Sequence, residues 1–111
     1  MVSAARFKEL AASFAGTSVV PHMDRIAFRT KRKIFATLPP DERTANLLLD
    51  ATLQEAAVEA RPNAFSPVPG GWGRMGYTTV DLSAVDEADL VRVLSEAHAL
   101  ASEKKAPRKK R

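Results

Sequence analysis

Apolar residues along this chain change their spacing four times, and each change marks a new kind of element. Phe7, Leu10, Ala11 and Phe14 recur at i, i+3, i+4 and i+7, the stripe of a helix that packs one face inward. Ser3 is placed to cap its start and Gly16 to end it. From Ser18 the period falls to two. Ile26, Phe28 and Thr30 share one face of a predicted strand, with Ala27 and Arg29 on the other. Beyond a short turn, Ile34, Ala36 and Leu38 alternate with Phe35 and Thr37, and Pro39-Pro40-Asp41 signals the next turn. Ala45, Leu47 and Leu49 line one side of a further strand. Helical spacing returns through Leu53, Ala56, Ala57 and Ala60, with Asp50 as cap and Pro62 as stop. After the Pro-rich "NAFSPVPGGWGRMG", Thr78, Val80 and Leu82 face one side of a strand. Asp86 then caps a last helix whose inner stripe is Leu90, Val93, Leu94, Ala97 and Ala101. The order α-β-β-β-(β)-α-β-β-α predicts a two-layer α+β fold, a mainly antiparallel sheet with helices packed on one face.

The 111 residues suffice for one domain that buries about two thirds of its unfolded surface. The apolar pattern stops at Ser102, which divides the chain into a domain at 1–103 and a basic tail at 104–111 that does not fold alone. With 45% apolar and 27% charged residues the composition is that of an ordinary globular protein. The absence of cysteine removes disulfides, thiolate metal sites and cysteine nucleophiles, and fits a reducing compartment. No stretch approaches the eighteen or so apolar residues of a membrane span. A cytoplasmic, monomeric protein is the expectation, with no membrane partner.

Charge changes this picture only when it is located. Six of the 17 Lys and Arg residues are Lys104, Lys105, Arg108, Lys109, Lys110 and Arg111; the remaining 11 stand against 13 Asp and Glu, so residues 1–103 carry −2. The chain's +4 belongs to the tail. Within the domain, Arg25, Arg29, Lys31, Arg32 and Lys33 gather five cations in nine residues around a predicted hairpin turn. Such a tip suits phosphates, which lysine and arginine bind by displacing counterions. It equally suits an edge protected by charge from strand-to-strand aggregation.

Gly71, Gly73 and Gly76 have the G-x-G-x-x-G spacing of a dinucleotide-binding loop. That loop needs a strand before it and a helix after it. Here "FSPVP" precedes and "YTTVDL", a strand former, follows. The glycines therefore serve a sharply turning loop or bulged hairpin. Trp72 and Tyr77 beside them either cap one edge of the core or form a stacking surface for a base or a partner side chain. Arg74 is a candidate second basic contact.

"PHMDRIAFRTKRKIFATL", "LLLDATLQEAAVEARPNAFSPVPGGWGRMGYTTVDL" and "DEADLVRVLSEAHAL" together resemble the MmcQ/YjbR family over almost the whole chain except the tail. The most telling pieces are Pro21-His22, the "AFR…KIFATL" hairpin and the aromatic residue leading into "TTVDL". The resemblance implies a compact α/β domain likened to frataxin and to secretion chaperones. It also implies a predicted DNA-binding role through a "double wing" of β-hairpins. Two departures stand out: Lys31-Arg32 occupy a turn that often holds a glycine, and Tyr77 stands where many members have Trp.

Catalytic readings are weaker. His22 and His98 are the only histidines, and His98 sits beside the inner stripe of the last helix as a packing residue. His22 and Asp24 share one face if the strand continues that far, an arrangement that serves a local hydrogen bond or a general base. No metal-ligand spacing is present. Asp86, Glu87 and Asp89 match a helix N-terminus. The expectation is a non-enzymatic domain without cofactor or metal. Its partner is DNA or RNA, held on phosphate by the basic hairpins and the tail. The alternative is a protein-interaction or chaperone-like module using the sheet face and the Trp72 loop.

Overall fold

Ser3 opens α1 (Ala4–Ala12), its hydroxyl accepting the Arg6 amide at 3.0 Å, and Phe7 and Ala11 are buried on the inner side. The computed structural model describes residues 1–103, so the predicted tail and its six cations lie outside the described residues. Four strands follow α1: β1 (Ser18–His22), β2 (Arg25–Arg29), β3 (Ile34–Leu38) and β4 (Thr44–Leu47). Asp50 caps α2 (Ala51–Ala60) by accepting the Leu53 amide at 2.8 Å. Then come β5 (Phe65–Pro67), the one-turn helix α3 (Gly71–Arg74), β6 (Thr78–Asp81) and α4 (Glu87–Ser102). The six strands form one antiparallel sheet in the order β1-β2-β3-β4-β6-β5. This is the two-layer α+β architecture that the apolar periods predict.

Strand register separates the sheet into two faces. Phe28, Ala36, Leu47 and Thr78 align across β2, β3, β4 and β6, all buried on the helix side, where the Phe7 and Phe28 rings meet edge to face at 5.7 Å. Val20, Ala27, Thr37, Asn46, Thr79 and Ser66 align on the opposite face, a row of small and mostly polar side chains. The inner stripe of α4, Leu90, Val93, Leu94, Ala97 and Ala101, is buried as its spacing requires. No described helix is long and apolar enough to cross a membrane.

Four local readings are corrected. Phe35 does not alternate with Ala36: Phe28 pairs with Ala36 and Arg29 with Ile34, which leaves Phe35 as the extra residue of a register shift. Its ring is thereby re-aimed to the helix side, meeting Phe14 at 6.3 Å and His98 at 5.2 Å. In α2 the inward residues are Leu53, Gln54, Ala57 and Val58, while Ala56 and Ala60 are exposed. The apolar count missed a glutamine that turns inward to hydrogen-bond. The glycine segment holds a one-turn helix where a loop or bulged hairpin was expected. Finally, β1 ends at His22 and the chain turns through Met23, at φ 61°, so His22 and Asp24 do not lie on one strand.

Candidate nucleic-acid interface

The ribbon β1–β2–β3 carries Arg25, Arg29, Lys31, Arg32 and Lys33 against one carboxylate, Asp24. A single threonine shapes its basic turn. Thr30 Oγ1 accepts the amides of Arg32 and Lys33, each at 3.1 Å, and donates to the Ala101 carbonyl at 2.9 Å. The turn is thus tied to the C-terminal end of α4, with Thr30 itself buried. Arg29 folds back along it, its Nε donating to the Thr30 carbonyl at 3.1 Å.

Ion pairing divides the cations sharply. Among the described residues, salt bridges involve Arg6, Lys8, Arg61 and Arg92, and all four serve the helices. Arg6 joins α1 to Glu87 of α4 at 2.8 Å, and Arg61 joins the end of α2 to Asp89 at 2.9 Å. Hydrogen bonding from Arg6 holds the Glu87 carboxyl below its ordinary range, and Glu87 in turn raises the Arg6 guanidinium. Arg25, Arg29, Lys31, Arg32, Lys33, Arg43 and Arg74 have no ion pair among the described residues.

The glycine segment forms the second part of the site. A Cβ on Gly73 would overlap the Val68 carbonyl, and one on Gly76, at φ 110°, would overlap the Leu49 carbonyl. Both glycines are there because backbone passes against backbone. Gln54 Nε2 locks the segment from α2, donating to the Gly73 and Tyr77 carbonyls at 2.9 Å each. Trp72 is held out at 60% exposure, edge to face with Tyr77 at a centroid distance of 5.1 Å.

Strands in such a sheet rotate by about 20–25° from one to the next, so diagonally opposite corners rise on the same side. The β1–β2 tip with His22 and Arg25 and the corner with Val68, Trp72 and Tyr77 rise over the open face. Between them lies a cleft of about 380 Å³ with Thr37 and Asn46 on its floor. A larger hollow of about 800 Å³ near Met1, Glu42 and Asp81 contains none of the predicted residues.

The structure therefore brings His22, Arg25, Trp72 and Tyr77 together. It places Arg29 and Lys31–Lys33 at the other end of β2, beside α4. Arg74 lines a separate depression with Gln54 and Pro67. Pro21 pairs with Ile26, and His22 is exposed, with no side-chain hydrogen bond among the described residues, so the local bond to Asp24 is not formed. His98 packs as expected, stacked on Phe14 at 5.2 Å with Nε2 2.8 Å from the Ala15 carbonyl. No three His, Asp or Glu side chains gather as a metal site among the described residues. Thr37 is placed on a strand face by the sequence pattern, whereas Asn46 and Gln54 are not singled out by it; Asn46 is legible there, because Ala45 and Leu47 point inward and put it outward.

No family model matches the chain, and no curated protein matches it. Among solved structures, protein DR2400 of Deinococcus radiodurans, described with a DUF419 family-model domain, has a TM-score of 0.78. It shares 17% identity, over 97% of this chain and 84% of its own. A protein from Pseudomonas syringae has a TM-score of 0.68 at 16% identity, over 87% of this chain and 97% of its own. The chain shares the fold of these two proteins.

Proposed function

We propose that this is an MmcQ/YjbR-type domain that binds nucleic acid without catalysing a reaction, gripping phosphates with the basic ribbon. The observation that carries the reading is that the ribbon's five cations have no ion pair among the described residues, set against the pairing of Arg6, Lys8, Arg61 and Arg92 on the helix side. A protein that used these charges only to hold its own shape would neutralise them with its own carboxylates, which outnumber its cations over residues 1–103. Lys31, Arg32 and Lys33 are exposed and Arg25 and Arg29 half-buried, and without ion pairs among the described residues they retain their attraction for a polyanion. The likeness of the sequence to MmcQ/YjbR implies the same role, and the fold is that of a DUF419-domain protein. The tail's six cations add to it in the sequence.

A salt titration of binding to duplex DNA, single-stranded DNA and RNA tests this. The full chain binds with an affinity that falls as salt rises. Changing Lys31, Arg32 and Lys33 to Ala lowers the duplex salt slope by about 2.7, taking ~0.9 per phosphate contact. Failure to bind any of the three at low salt, or an unchanged slope in the triple variant, overturns the reading. A protein-interaction module is the second reading, favoured by the exposure of Met23, Trp72 and Met75. It predicts binding that is indifferent to the ribbon charges.

A further inference from the structure

The cleft on the open sheet face has a chemistry that phosphate binding leaves unexplained. Its lining holds one guanidinium, Arg25, the imidazole of His22 and one carboxylate, Asp24, so the Arg25 charge is offset by Asp24 and the cleft is poorly suited to a bare phosphate. Its other groups suit a flat ring. Trp72 presents an indole that is 60% exposed, in edge-to-face contact with Tyr77, on a segment fixed through Gln54 and two glycines. On the floor, Thr79 Oγ1 donates to Asn46 Oδ1 at 2.9 Å, which orients the amide and leaves its Nδ2 without a partner among the described residues. Thr37, the neighbour of Asn46 across the β3–β4 ladder, adds a hydroxyl to the same floor. The opposite rim is the β1–β2 tip, where Met23 is 92% exposed in the left-handed region that a side chain enters at a cost of about 1–2 kcal/mol.

We propose that this cleft receives one unpaired base of a single-stranded nucleic acid, stacked on Trp72 with its polar edge toward Asn46 and Thr37. The proposal rests on the nucleic-acid reading and deepens it. Aromatic stacking accepts any base, because every base has a π face, but only when the base is free of its duplex neighbours. Paired bases present their edges in grooves and keep their faces in the stack, so a duplex offers nothing to this cleft. Arg25, on the rim, meets the phosphate next to the inserted base, while Lys31–Lys33 at the far end of β2 follow the strand further along.

Trp72 is the only tryptophan of the chain, so its fluorescence reports the cleft alone. The full-length protein is titrated with a ten-residue oligothymidylate and with a duplex of the same length, at fixed salt. Single strands are expected to quench Trp72, and duplex to bind without quenching. Trp72→Leu and Asn46→Ala, followed by anisotropy of a labelled strand, are expected to weaken single-strand binding about tenfold, the weight of one stacked base, and to leave duplex binding unchanged. Both positions are solvent-accessible, and circular dichroism checks that each variant is folded. Single-strand binding without quenching, equal quenching by duplex, or unchanged affinity in both variants overturns the cleft proposal while leaving the basic ribbon standing. Quenching that survives the loss of Lys31, Arg32 and Lys33 with no change in salt slope supports the cleft and overturns the ribbon. If no nucleic acid is bound, both fall.

Discussion

Residues 18–38 and residues 39–103 share one sheet but deploy charge in opposite ways. The first stretch holds five cations and one carboxylate; the second holds four cations and eleven carboxylates. In the second, Arg43 and Arg74 have no ion pair among the described residues, but the other charges that make contacts are used on the protein itself. Arg61 and Arg92 converge on Asp89, Asp50 caps a helix, and Asp41 and Asp81 accept backbone amides in turns. In the first, side-chain hydrogen bonds among the described residues bend Arg29 and Thr30 around the turn and tie Thr30 to Ala101, and no described carboxylate answers the cations. Charge that stabilises is paired, and charge left unpaired on an ordered ribbon is available to a ligand. The net charge of the domain, which is slightly negative, conceals this division entirely.

The comparison breaks most severely where the two stretches share a core. Phe35→Ala removes a fully buried ring that joins β3 to Phe14 and His98, and is expected to cost about 3–5 kcal/mol by denaturant titration. A single transition for the whole domain, with no separate melting of the ribbon, accompanies it. Gly76→Ala follows at about 3 kcal/mol, because the new methyl meets the Leu49 carbonyl and the residue must keep a positive φ. Gly71→Ala, whose methyl would meet only the end of the Arg74 side chain, is the control and changes stability little. Gln54→Leu leaves the Gly73 carbonyl without its side-chain donor and costs about 1–2 kcal/mol. It also frees the Trp72 segment, which broadens the tryptophan emission.

The smallest effect is a pH dependence confined to the helix side. Glu87 is held below its ordinary value of 4.5 by hydrogen bonds from Arg6. A depressed carboxyl contributes stability above its unfolded value and loses it as pH falls through the folded one. The stability gap between the protein and its Arg6→Gln variant is therefore constant from neutrality to about pH 5 and narrows below pH 4.5. Thermal melts of both proteins across that range check it.

Much of this was legible in the residues. The periods of 3.6 and 2 placed the main helices and the sheet, and the caps at Ser3 and Asp50 fell where side-chain chemistry requires them. The strand after the G-x-G-x-x-G segment was legible in "YTTVDL", and β6 forms there. Three things were hidden, each for a reason of three dimensions. The register shift at Phe35 depends on the β2 partner and leaves the local pattern unchanged. The inward turn of Gln54 depends on carbonyls about twenty residues away. The separation of Lys31–Lys33 from Trp72 depends on sheet order and twist: the register puts both at the same end of the strands, but β4 stands between β3 and β6, and Trp72 shares its cleft with the diagonally opposite β1–β2 tip.

The central claim is that unpaired ribbon cations bind and paired helix cations stabilise. It is tested most directly by two matched triple variants of the full-length chain, each measured for duplex salt slope and for stability. Lys31, Arg32 and Lys33 to Ala is predicted to flatten the slope by about 2.7 and to leave stability within about 0.5 kcal/mol. Lys8, Arg61 and Arg92 to Ala is predicted to lower stability by about 1 kcal/mol and to leave the slope unchanged. Equal slopes in the two variants, or a loss of binding confined to the helix-side triple, would contradict the account.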